Sequence, residues 1–191
     1  MNCKKIICLF IILFVMASFT IPKPLVCPLK LYNDWNESTS EKIMNREYKK
    51  ESEKNGARNY IKLGNIEFAQ AYLDYLKTGI IDTARFTVAS RNYVNSYAKA
   101  KNSTTKAEAL YHVGLCNYFT GDYKKSQTWF YKHSKCNDTV NFCAPFWYAK
   151  SLLKTNLNDS ANSVLRKYCA DYGLNKDSIK TLIDQDIKNG Q

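Results

Sequence analysis

From residue 57 onward, apolar side chains recur every three or four positions, in short blocks broken by Gly or Asn. That is the period of a helix with one face turned to a core. The blocks predict helices over 57–63, 66–77, 81–99, 105–119, 123–134, 142–155, 159–171 and 176–188, joined by connections of a few residues. No run alternates apolar and polar positions long enough for a strand, so the expected fold class is all-α. Residues 31–56 show no apolar stripe, and the whole of 22–56 is expected to be a polar linker or a solvated first helix.

The number of apolar stripes says how many neighbours a helix needs. On 159–171, Ala161, Val164, Leu165 and Tyr168 make one stripe. On 105–119, Leu110, Val113 and Gly114 make one, while Tyr111, Leu115, Tyr118 and Phe119 make another. A helix with two such faces must be covered from two sides.

Comparing the chain with itself reveals a repeat. Gly79-Ile80-Ile81-Asp82-Thr83-Ala84 aligns with Gly121-Asp122-Tyr123-Lys124-Lys125-Ser126, and both align with Asn156-Leu157-Asn158-Asp159-Ser160-Ala161, at offsets of 42 and then 35 residues. The same offsets carry Val88 onto Phe130 onto Leu165, and the second carries Gly114 onto Ala149. A competing copy of the turn, Leu63-Gly64-Asn65, stands too close to Gly79 for both to lie within repeats.

These residues resemble the tetratricopeptide repeat: a small residue in the first helix, Gly-Asp-Tyr at the turn and a small residue early in the second helix. Residues 108–132 match best, and the likeness spans roughly 68–171. The proline that usually closes each repeat is missing. The resemblance implies a right-handed superhelical stack of antiparallel helix pairs over 57–191, whose concave face is lined by the first helix of each pair. Mapped residue by residue, that face holds Tyr111, Leu115, Tyr118, Phe119, Phe146, Lys150, Leu153 and Lys154, with Leu73, Leu76 and Lys77 before them. Aromatics beside lysines suit a protein or peptide partner bearing acidic or carboxylate groups. With an export signal in front, the pattern is also similar in a general way to tetratricopeptide lipoproteins of the cell envelope. A structural component of a larger assembly, with no separable peptide ligand, is the alternative that this implies.

The leader gives the location. Residues 6–21 carry no charge, follow Lys4-Lys5 and precede Pro22-Lys23-Pro24. Sixteen helical residues span ~24 Å, less than the ~30 Å of a hydrocarbon core. Residues 1–21 are therefore expected to be a signal peptide, with a short membrane anchor as the alternative. The expected location is exported: periplasmic, cell-envelope or extracellular. Val26 stands before Cys27, where lipidation needs a small residue.

Charge, cysteines and histidines narrow the function further. The net charge of +11 is spread, without an arginine-rich run, so no nucleic-acid partner is expected. Export favours disulfides, and Cys136 with Cys143, bracketing a short connection, is the expected pair. Asn36, Asn102, Asn137 and Asn158 begin glycosylation sequons. His112 with Cys116, and His133 with Cys136, sit at helical spacings that zinc ligands use. Packing of the histidines among tyrosines is the preferred reading, so no metal is expected. Two histidines and no phosphate loop or nucleophile elbow leave no catalytic constellation, so neither an enzyme nor a cofactor is expected.

Overall fold

The computed structural model describes residues 41–136 and 143–189. They form helices α1 (Glu41–Ser52), α2 (Ala57–Thr78), α3 (Thr83–Lys99), α4 (Ser103–Phe119), α5 (Tyr123–Ser134), α6 (Ala144–Leu153), α7 (Asn158–Tyr172) and α8 (Lys176–Asn189), with no strand among the described residues. The all-α expectation holds there. The leader, Cys27, Asn36 and Asn137 lie outside the described residues, and none of the described helices is long and apolar enough to cross a membrane.

Each helix packs on the next in sequence order. In addition α2 touches α4 and α4 touches α6, whereas no comparable contact joins α3 to α5 or α5 to α7. The result is a row of hairpins, α2–α3, α4–α5 and α6–α7, in which each second helix packs on the first helix of the next hairpin and the first helices also touch one another. The three aligned turn positions close these hairpins: Gly79 (φ 70), Gly121 (φ 79) and Asn156 (φ 60) are all left-handed. Glycine takes that region freely, and asparagine is among the few other residues that enter it readily. Asp82, Asp122 and Asn102 cap α3, α5 and α4 by accepting the backbone N–H groups of Arg85, Lys125 and Thr105.

One expectation is corrected. Residues 57–63 and 66–77 form a single helix, and Gly64 lies inside it. Its glycine serves packing rather than a turn: a Cβ there would stand 2.6 Å from the Tyr93 ring, and the Tyr93 hydroxyl donates to Asn65 at 2.7 Å. Gly114 does the same for Phe130, where a Cβ would meet the ring at 2.7 Å. At the equivalent offsets, Ala149 and Leu165 are both buried.

A polar line threads the small positions. The Ser126 hydroxyl reaches the Gly114 carbonyl at 2.9 Å and the Ser151 hydroxyl at 2.8 Å, and Ser151 also reaches the Trp147 carbonyl at 2.9 Å. Three helices are tied by two buried hydroxyls. At the other end α1 does form, and it is held rather than merely solvated. Glu51, 3% exposed, accepts from Lys54 at 2.9 Å and from Asn59 at 2.5 Å, with Lys62 at 3.5 Å. These donors, Lys54 first, hold its carboxyl down at about 2.

Candidate partner-binding surfaces

The residues expected to line a groove are mostly core. Tyr111, Leu115, Phe119, Phe146 and Lys150 are all buried, Phe119 being the most accessible of them at 9%. The reason is the position of α4, which contacts α2, α3, α5 and α6. Both of its apolar stripes are therefore largely covered, with Tyr118 the member of them that stays half-buried. Tyr118, Leu153 and Lys154 remain half-buried, as does Leu73, while Leu76 and Lys77 are exposed.

Tyr118, Phe119, Phe146 and Lys150 nevertheless share one seam. Phe119 stacks on Phe86 with ring centres 5.0 Å apart and meets Phe68 at 5.8 Å, Tyr75 at 6.2 Å and Trp147 at 5.8 Å. Tyr118 meets Trp147 at 5.1 Å. The Lys150 ammonium lies 4.3 Å from the Trp147 ring centre, 5.2 Å from Tyr118 and 5.7 Å from Phe146. Ring faces attract a cation, yet burial, helped by the charge of Lys154, pulls this ammonium down to about 7. Burial likewise raises the hydroxyl pKa of both Tyr111 and Tyr118.

The histidines and cysteines do not gather into a metal site: among the described residues no three potential ligands converge. The His112 ring stacks on Tyr93 at 4.7 Å, and its Nδ1 donates to the Glu108 carbonyl at 2.9 Å. Burial holds it neutral, with its pKa down at about 4. The expected bridge between Cys136 and Cys143 is not the one formed. Cys143 is disulfide-bonded, whereas Cys116, Cys136 and Cys169 are thiols, with Cys136 Sγ 3.8 Å from the Lys132 carbonyl oxygen. Short sequence spacing does not set sulfur geometry: the α5 end directs Cys136 back along its own helix.

On the other side of the row the structure opens. Where α5 and α7 are not packed on each other, a cleft of about 740 Å³ lies between the end of α5, the start of α6 and α7. Tyr131, Lys135, Tyr148, Lys167, Tyr168 and Tyr172 are on its walls. Sequence reasoning missed all six. Their signal is spread over three helices, and only the separation of α5 from α7 makes them neighbours.

Comparison with family models, with curated proteins and with solved structures gives no match for this chain.

Proposed function

We propose that the protein is an exported scaffold of the tetratricopeptide type, a right-handed superhelical stack that binds a protein or peptide partner along its first helices. One observation carries this reading. Half-buried Tyr72, Tyr75 and Tyr118, followed by Leu153 and Lys154, stand along a seam of ring contacts that runs without a break from α2 through α4 to α6. Tyrosine offers rigid contact area with a polar tip, and Lys77 and Lys154 add charge for an acidic partner. The partner meets the outer edge of the seam, not its buried rings.

The test is capture of partners by the intact protein, followed by titration of a captured partner against wild type and Tyr118→Ala. Weakening by about 1–3 kcal/mol is expected for an anchor residue. Unchanged affinity in a variant that melts like wild type would rule the seam out. Burial of Tyr111, Leu115, Phe119 and Phe146 favours a second reading, in which the aromatics serve only the stack and the protein is a structural part of a larger envelope assembly.

A further inference from the structure

We propose that the end of the row opposite the hairpin turns is a belt that lies against an anionic lipid surface. In a row of antiparallel hairpins the second helices end where the first helices begin, so the last turns of α3 and α5 share this end with the first turns of α2 and α4. Its charge comes largely from two helices without a single acid. α3 holds Arg85, Arg91 and Lys99, α5 holds Lys124, Lys125 and Lys132, and neither contains Asp or Glu. At the turn end the capping carboxylates answer this charge, Asp82 on Arg85 at 3.6 Å and Asp122 on Lys125 at 2.5 Å. At the opposite end Lys99, Lys101, Lys132 and Lys135 are exposed and Lys106 is half-buried, and among the described residues none of them is in an ion pair. The acids nearby are engaged elsewhere, Glu51 with Lys54 and Lys62, and Glu108 with Arg58 at 3.6 Å. Exposed Glu53 and Asp171 do not balance the lysines.

The rings decide which anionic partner fits. Among the described residues, every exposed lysine set over an aromatic ring belongs to this end: Lys99 lies 5.9 Å from the Tyr60 ring centre, Lys132 4.5 Å from Trp129 and Lys135 4.8 Å from Tyr131. Tyr97 of α3 meets Trp129 of α5 at 6.2 Å, which joins the two helices in one patch. Tyr131 is 52% exposed, and Tyr60, Tyr97 and Trp129 are half-buried. A ring with a polar tip beside a long, flexible ammonium suits the headgroup layer: the ring enters the interface while the ammonium reaches the phosphates. An extended acidic peptide needs a strand edge or a groove between helices, and this belt is made of helix ends and connectors. Tyr75 and Tyr118 of the seam lie near the turns, so a partner bound there and a lipid surface bound here do not compete.

The test is flotation of the full chain with vesicles of phosphatidylcholine alone and of phosphatidylcholine with phosphatidylglycerol as one lipid in three. Residues 6–21 are uncharged and partition into both membranes alike, so the difference between the vesicles reports the belt. Each basic residue at an anionic surface tightens binding about fivefold, and the mixed vesicles are expected to bind about tenfold or more tightly, a preference that raised salt removes. Lys132→Glu should cut binding to the mixed vesicles about tenfold, whereas Lys124→Glu, the same charge change at the turn end, should alter it by less than about twofold. Lipids brominated near the headgroup should quench tryptophan emission in wild type and quench it markedly less in Trp129→Phe. Equal binding to both vesicles, equal losses from Lys132→Glu and Lys124→Glu, or quenching unaffected by Trp129→Phe would overturn the proposal. So would equally tight binding of soluble polyglutamate at the same salt, which would make the belt a general anion surface.

Discussion

The two sides of this helical row differ in how their lysines live. Along the first helices, where α2, α4 and α6 touch, Lys150 is sealed among three rings, 2% exposed. Between the second helices, where α5 and α7 stand apart, Lys135 and Lys167 edge an open cleft and remain exposed. The same residue type is thus packing on one side and surface on the other. Contact between helices two apart in sequence decides which, and that contact is not a property of any single helix.

The sharpest way to break the comparison is to put a negative charge on each side. Lys150→Glu forces a carboxylate against ring faces in a desolvated pocket and is expected to cost about 3–5 kcal/mol in urea unfolding. Lys167→Glu should change stability by less than about 0.5 kcal/mol. Similar losses in both would mean that the two sides are equally closed.

Acid should act on the sealed side next. The unfolded chain protonates a histidine near 6.5, whereas folded His112 resists until about 4. Its contribution is complete above pH 6.5 and disappears as the pH falls from 6.5 to 4, by about 3 kcal/mol in all. Stability measured across that window should slope downward toward acid in wild type and flatten in His112→Gln. A slope unchanged by the substitution would place the titration elsewhere.

Glycines sharpen the contrast between packing and turning. Gly114→Ala pushes a methyl into the Phe130 ring and should cost about 1–3 kcal/mol. Gly121→Ala meets nothing within 4 Å and bears only the left-handed backbone, about 1 kcal/mol. An effect of similar size is expected at the end of the row. Glu51→Gln should lower stability by about 1 kcal/mol at neutral pH. Because the folded carboxyl lies at about 2 against 4.5 unfolded, wild-type stability from this group is present above pH 4.5 and lost as the pH falls toward 2. Variant and wild type should therefore converge in acid.

The hairpins were legible in the sequence because their determinants are local: Gly79, Gly121 and Asn156 mark aligned turns, and Gly114 aligned with Ala149 marks a small position in the first helix. Gly64 misled because the glycine that ends a helix and the glycine that admits a neighbouring ring look the same until Tyr93 is placed. The groove residues misled for a related reason. Tyr111, Leu115 and Phe119 do form a stripe, as read, but whether a stripe faces a partner or the next hairpin depends on helices one repeat away. The cleft residues were hidden in the same manner, by helices distant along the chain.

The small-against-large positions also set what could be exchanged between repeats. The second hairpin opposes Gly114 to Phe130, and the third carries Ala149 and Leu165 at the same offsets. A recombinant joining α4 to α7 would leave a gap where a ring belongs, and one joining α6 to α5 would drive a methyl into a ring. Crossovers inside a hairpin are therefore penalised, whereas crossovers in the connectors before Ser103 and Ala144 keep each matched pair intact. The hairpin, with its private fit of volumes, is the unit that duplication could copy and that gene fusion could move.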